Sequence, residues 1–179
     1  MKIIQVIDYQ TFGEGWLDIA VMSARYADRL WFRIKNVSDD LMVKECGRLK
    51  KALPDMDIVL SGKPVIAVMC GLTGAHLNRD TYVTEIPKLI RGYSAHSIEE
   101  IESIEADYYT LSPIFMTKKD YEVKPLGVPD VSGLHREIYA LGGINLSNVS
   151  QLRNMGYAGV AGIGFYKELK EIRELISSF

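Results

Sequence analysis

Apolar and polar positions along this chain alternate between two periods. Short runs of β-branched and aliphatic residues are separated by longer amphipathic stretches. Residues 2–7 predict a strand. Residues 16–29 predict a helix, with Leu17, Ile19, Ala20, Met22, Ala24 and Ala27 near helical spacing. A strand is predicted over 30–34 and a helix over 38–53, where Ser38 precedes Asp39 and Asp40 as an N-cap with acidic residues that complement the helix dipole. Residues 57–60 predict a strand, 65–72 a short helix and 75–77 a brief strand followed by a polar, irregular stretch. After a strand over 89–93, Ser97-Ile98-Glu99-Glu100 has the pattern of a capping box opening a helix. A strand over 108–111 leads into a loop-like segment over 113–127 that carries Lys118, Lys119 and Lys124. A strand over 137–140 runs into Gly142-Gly143, and a helix over 147–155 ends before Gly156 as its C′ residue. The last pair is a strand over 159–163 and a helix over 165–176.

Eight predicted strands, each followed by a helical or helix-replacing segment, imply a parallel sheet with helices outside. Eight units point to a closed (β/α)8 barrel, with an open doubly wound sheet as the alternative. The chain has 179 residues, or about 22 per unit, whereas such barrels usually run to ~250 and rarely fall below ~200. The expected barrel is therefore compact, with outer helices shortened or replaced by loop, above all after strands three, four and six. No Pro/Ser-rich linker or charge block divides the chain, so one domain over 1–179 is expected.

Composition narrows the class. Apolar residues make up 47% and charged residues 25%, which excludes a disordered or low-complexity chain. The net charge of -2 argues against a general nucleic-acid partner, although a local basic patch remains compatible with phosphate binding. The longest apolar run that matters, residues 65–72 with its glycine, is far short of the ~18 residues of a membrane span, and the N-terminal run is broken too early for a signal peptide. Cys46 and Cys70 lie 24 positions apart without a Cys-x-x-Cys, which reads as two reduced thiols in a cytoplasmic protein.

In parallel α/β folds, functional groups gather at the C-terminal ends of the strands. Those positions here hold Asp8, Arg33 and Lys35, Ser61-Gly62-Lys63, the stretch from His76 to Asp80, Ser94 and His96, Ser112 to Lys119, Gly142-Gly143, and Ile163-Gly164. The rim is rich in cations and in small residues that leave backbone N–H groups open. Arg33 and Lys35, two apart on a strand, face one side. Glycines before helix starts after strands seven and eight are the usual phosphate cradle of such barrels. A small anionic, phosphorylated ligand is the expectation. His96 stands after a strand and before a helix start, where an imidazole could move a proton near neutral pH. His76 reads as structural beside Leu77, and His135 as a surface loop residue.

Taken together, the spaced blocks resemble the thiamine phosphate synthase/TenI family of phosphate-binding barrels. They are Gly92-Tyr93-Ser94-Ala95-His96-Ser97-Ile98-Glu99-Glu100, Ala106-Asp107-Tyr108-Tyr109, Ser112-Pro113-Ile114-Phe115-Met116-Thr117-Lys118-Lys119, Ala140-Leu141-Gly142-Gly143-Ile144-Asn145 and Gly156-Tyr157-Ala158-Gly159-Val160-Ala161. The resemblance implies a TIM-type (β/α)8 barrel and one of two activities. The synthase joins a pyrimidine diphosphate to a thiazole phosphate, releasing pyrophosphate and using magnesium. The TenI branch includes a tautomerase that aromatises a carboxylated thiazole phosphate by proton transfer without a metal. By resemblance, Thr117, Ser94 and the backbone at Gly142, Gly143, Ile163 and Gly164 hold the phosphate.

Departures from the synthase pattern favour the TenI branch. Synthases carry Gln-x-Arg-x-Lys after strand two; here Arg33 and Lys35 match, but Trp31 replaces the Gln. The synthase Asn-Asp-Arg after strand three reads Ser61-Gly62-Lys63, so the magnesium carboxylate is missing, and Asp80 sits one position early for the second. Cations at Lys63 and Arg79 suit a hard divalent ion poorly. The sequence therefore points to a metal-independent thiazole tautomerase with no cofactor, magnesium being required only for a synthase. In that reading His96 moves the proton, and Arg33, Lys35, Ser61, Lys63 and Lys118 contact substrate. The alternatives are a synthase with a rearranged metal site and a non-catalytic thiazole or thiamine phosphate binder. The expected partner is a small phosphorylated thiazole, with no nucleic acid or membrane, and the resemblance implies a homo-oligomer.

Overall fold

The computed structural model describes residues 1–84, 88–117 and 124–179. Eight parallel strands close on themselves in sequence order: β1 (Lys2–Asp8), β2 (Arg29–Arg33), β3 (Ile58–Ser61), β4 (Gly74–Leu77), β5 (Ile90–Ala95), β6 (Tyr108–Leu111), β7 (Ile138–Leu141) and β8 (Gly159–Gly162), with β8 pairing back to β1. The closed barrel is the expected one, and the open sheet is excluded. Closure leaves no sheet edge to protect.

Side chains alternate across the barrel wall. On β1, Ile3 and Ile7 belong to the clusters under the helices, while Ile4 and Val6 join Trp31, Val59, Tyr108, Tyr139 and Ala161 inside the barrel. These inner residues are large for so narrow a ring, and glycines make room for them. A Cβ on Gly92 would collide with the Tyr108 ring and with His76 Nδ1. His76 is 2% exposed, and its ring lies 3.7 Å from that of Trp31. On the other side of Tyr108, the Arg29 guanidinium sits 4.5 Å above the ring and pairs with Asp57 at 2.9 Å. The barrel axis is thus filled by packed rings around one buried, polar imidazole. Burial, together with the nearby Arg29 charge, pushes the His76 pKa down to about 3, so the ring is neutral at physiological pH.

The outer layer is as thin as the length demands. It comprises α1 (Tyr9–Phe12), α2 (Trp16–Ser23), α3 (Asp39–Ala52), α4 (Pro64–Met69), α5 (Ile98–Ser103) and α6 (Leu169–Ile176). Ser38 caps α3 as expected, accepting from the Leu41 N–H at 3.3 Å. Among the described residues, no helix occurs between β4 and β5, and the segment between β6 and β7 holds a 3-10 turn, Ser132–Leu134, and no α-helix.

Three expected helices differ. The first stops at Ser23, six residues early, where the chain tightens into a turn: the Arg25 and Tyr26 N–H groups bond to carbonyls only three residues back, Met22 at 3.4 Å and Ser23 at 3.0 Å, before β2 begins at Arg29. The helix expected over 147–155 is a single 3-10 turn, Val149–Leu152. There Asn148 Oδ1 accepts from the Asn145 N–H and Asn145 Oδ1 from the Ser147 N–H, both at 2.9 Å, and this local bonding competes with helix formation. The last helix begins as a 3-10 turn, Gly164–Glu168, before α6. Strand β5 also runs two residues further than expected, to Ala95, which fixes Ser94 within the ladder.

Two outcomes follow. Gly92→Ala overpacks the axis and costs about 1–3 kcal/mol, read by thermal denaturation as a fall in Tm of roughly 2–4 °C per kcal/mol. His76 contributes a pH slope. The unfolded chain protonates below its ordinary value of 6.5 while the folded ring stays neutral down to about 3. The unfolded state then binds more protons, and stability falls as pH drops, by up to ~1.4 kcal/mol per unit. Chemical denaturation of the native protein and His76→Gln, at about pH 6 and pH 4, measures that share as the slope the variant lacks.

Candidate active site

The C-terminal ends of the strands open into a cavity of about 1170 Å³. Its lining includes Arg33 and Lys35, Ser61, Ser94 and His96, Thr117, Gly142 and Gly143, and Ile163 and Gly164. Residues drawn from six separate strand ends by sequence thus share one space. Lys63 does not. It points to Asp39 at the start of α3, with Nζ to Oδ1 at 3.1 Å, and is absent from the lining. Both partners are solvent-exposed, so the pair holds Lys63 only weakly, and in this structure the side chain faces α3 rather than the cavity. Lys118 lies outside the described residues.

The cations of β2 are held in place rather than free. Asp8, 3% exposed, caps α1 by accepting from the Thr11 N–H at 2.9 Å and the Thr11 hydroxyl at 2.6 Å, and its other oxygen pairs with Arg33. Burial alone would raise the Asp8 pKa; the Thr11 bonds and then Arg33 outweigh it and hold the carboxyl below its ordinary value. Arg33 therefore reaches the cavity as half of a charge pair. Lys35 keeps its own charge at the mouth, where burial and then repulsion from Arg33 lower its pKa. Gln10 pins the Lys35 backbone, donating to its carbonyl and accepting from its N–H.

His96 is fixed from two sides. The predicted capping box forms with a change of partner: Ser97 Oγ accepts from the Glu100 N–H at 3.3 Å, while the Glu100 carboxylate accepts the His96 backbone N–H at 2.8 Å. The imidazole Nδ1 lies 3.0 Å from the Ser112 carbonyl oxygen. A carbonyl can only accept, so Nδ1 carries the hydrogen, and the neutral ring keeps its lone pair on Nε2. Glu100 also pairs with Arg79 at 3.2 Å, which takes that cation out of the mouth.

The strand-seven glycines have steric as well as chemical reasons. Gly142 and Gly143 have φ of 98° and 68°, and a Cβ on either would collide with the Pro113–Met116 segment after β6. They let two rim loops touch where the cavity wall needs both. Gly164 follows β8 and opens the final 3-10 turn, so its N–H has no intrahelical partner.

Sequence reasoning placed the His76–Asp80 stretch at the strand-end rim and noted Trp31, but gave the lining residues among these no role toward a ligand, and it did not single out Thr81. His76 is structural, as expected, yet it also lines the cavity floor through its contacts with Trp31 and Ser94. Asn78 and Thr81 line the wall beyond β4, where Asn78 Oδ1 accepts from the Thr81 N–H at 3.0 Å and its hydroxyl at 2.8 Å. An Asn three residues before a Thr is a common turn pattern, so no sequence signal separated it from an ordinary loop. Trp31 packs on His76 and walls the position where an amide stands in synthases.

Magnesium fits this donor set poorly. No carboxylate lines the cavity among the described residues, and no cluster of three or more His, Cys, Asp or Glu side chains occurs among them. Asp80 is exposed and stands outside the lining, its backbone N–H donated to Asn78 Oδ1. No described helix is long and apolar enough to cross a membrane.

Comparison with known proteins agrees with this architecture. Residues 15–165 match the family model described as thiamine monophosphate synthase. A protein of Aquifex aeolicus named putative thiamine-phosphate synthase 2 is 27% identical over 93% of this chain and 98% of its own length. The thiamine-phosphate synthase of Chlamydia caviae is 30% identical over 98% of this chain and 94% of its own. Among solved structures, thiamine phosphate pyrophosphorylase from Pyrococcus furiosus superposes with a TM-score of 0.83 at 22% identity, over 98% of this chain and 96% of that one. N-(5'-phosphoribosyl)anthranilate isomerase from Pyrococcus furiosus shares the barrel at a TM-score of 0.69 and 12% identity, over the full length of both chains. With a family match over most of its length, the chain belongs to the thiamine monophosphate synthase family of thiamine-biosynthesis proteins.

Proposed function

We propose that this chain binds a thiazole phosphate in the strand-end cavity and catalyses its metal-independent tautomerisation, with His96 as the proton carrier. The observation that carries this reading is a cavity that joins an imidazole with a defined lone pair to a cationic wall and lacks any lining carboxylate among the described residues. Aromatisation of a carboxylated thiazole isomer removes a proton from a saturated ring carbon and returns one to a carbon of the conjugated exocyclic system, with no change in formula. His96 Nε2 is suited to take the first proton, and the resulting imidazolium, stabilised by the Ser112 carbonyl at Nδ1, gives it back. Arg33 and Lys35 would face the substrate carboxylate. Thr117, Ser94 and the backbone at Gly142, Gly143, Ile163 and Gly164 would take the phosphate.

The second reading, a thiamine-phosphate synthase, is favoured by the names of the relatives. It asks the same cavity to hold a diphosphate with magnesium, and the described donor set gives that ion no carboxylate.

One paired assay separates the two. With carboxythiazole phosphate in EDTA, the native protein is expected to speed aromatisation, followed by absorbance. His96→Ala is expected to lower kcat by ~10²–10⁴-fold with little change in KM. Thiamine phosphate formation from pyrimidine diphosphate, thiazole phosphate and magnesium, without tautomerase activity, would establish the synthase instead. Binding without either reaction would leave a ligand-binding protein.

A further inference from the structure

A buried line of polar groups runs from the barrel axis to the cavity floor. His76 Nδ1 lies 2.8 Å from the Tyr108 hydroxyl, and Nε2 lies 2.9 Å from Ser94 Oγ, with Thr110 Oγ1 further off at 3.3 Å. Tyr108 and His76 are almost fully buried, while Ser94 lines the cavity. The direction of the hydrogens along this line decides what the cavity meets at Ser94.

Two arrangements satisfy the distances. In one, His76 Nδ1–H donates to the Tyr108 oxygen and the Ser94 hydroxyl donates to Nε2. The Tyr108 hydrogen then needs another acceptor, and the described side chains supply none; the group over its ring is Arg29, which can only donate. An unpaired buried hydroxyl hydrogen costs on the order of 1–3 kcal/mol. In the other arrangement, the Tyr108 hydroxyl donates to Nδ1 and Nε2–H donates to Ser94 Oγ, with Thr110 Oγ1 as a weaker second acceptor. The Ser94 hydrogen is then turned away from His76 and has no acceptor among the described residues. The buried Thr110 hydrogen is poorly placed in both arrangements, because in the first it would have to share at 3.3 Å the single Nε2 lone pair that Ser94 takes at 2.9 Å, so the Tyr108 hydrogen makes the difference. The ring itself is held in place by Trp31 on its face.

We infer that Tyr108 is a positioning residue that holds His76 in its Nε2–H form, and that His76 in turn makes Ser94 a donor to the bound ligand. The inference concerns the site of the proposed function and rests on that reading for the identity of the ligand. It adds a rule of specificity. The cavity floor beneath Ser94 takes an acceptor, such as a phosphate oxygen or an aromatic ring nitrogen, and discriminates against an amine or other donor at that point. Ser94 lies on β5 and Thr110 opposite it on β6, so the ladder fixes the geometry before ligand arrives.

The test pairs a tautomer measurement with binding. Imidazole nitrogen shifts of His76, read by 15N NMR on the full chain, report which nitrogen carries hydrogen without any substitution at the site. The expected result is Nε2–H in the native protein. Nδ1–H would overturn the inference whether or not ligand binds. Calorimetric titration with thiazole phosphate then compares native protein, Tyr108→Phe, Ser94→Ala and the double variant. The relay predicts that each single variant weakens binding by roughly tenfold and that the double variant is no weaker than Ser94→Ala alone. Full additivity, or a Tyr108→Phe affinity equal to native while Ser94→Ala is weakened, would overturn it. A native protein that shows the expected tautomer but does not bind thiazole phosphate supports the relay and counts against the proposed ligand.

Discussion

Closing eight strands into a narrow ring forces the interior to be filled, and in this protein it is filled by aromatic rings stacked about a neutral imidazole. Trp31, Tyr108 and Tyr139 carry the volume, and Gly92 and Gly159 yield the space they need. His76 can occupy that axis only as an uncharged group with both ring nitrogens bonded. The same residue ends the core and begins the cavity. Packing below and recognition above are therefore coupled through a single side chain, and a change in the filling of the axis is felt at the floor of the site.

The rim shows a second coupling, between helix caps and functional groups. Asp8 begins α1 and neutralises Arg33; Glu100 closes the N-terminus of α5 and holds the His96 backbone; Asp39, in the first turn of α3, draws Lys63 away from the mouth. In each case an acidic residue favoured at a helix start also decides the position of a basic or titratable neighbour. Among the described residues, fewer unpaired cations therefore face the cavity than the strand-end sequence suggests.

The fold was legible because its signal is redundant. Eight apolar runs, spaced by turn residues and amphipathic stretches, leave few topologies, and short length then predicts thinned outer helices. The helix expected over 147–155 was missed because its apolar spacing is helical while Asn145 and Asn148 bond locally, and spacing does not reveal which will win. The position of most site residues followed from one rule, that strand ends carry function. Lys63 lies outside the cavity lining because its side chain turns to Asp39, a residue 24 positions earlier, a pairing visible only in three dimensions. His76 was read as structural, which it is; its second role at the cavity floor depends on β5 continuing to Ala95, a boundary the pattern placed two residues short.

The proposed role of the cavity as a metal-free thiazole phosphate site is decided by where a ligand sits. The measurement is a crystal structure of the full chain with carboxythiazole phosphate, grown in the presence of magnesium. The expected result is the phosphate at the amides around Gly143 and Gly164, the carboxylate toward Arg33 and Lys35, the reacting carbon within reach of His96 Nε2, and no ion between ligand and protein. A magnesium ion bridging the ligand to Asp80, or a phosphate seated on Arg33 and Lys35 with His96 remote from the ring, would contradict it.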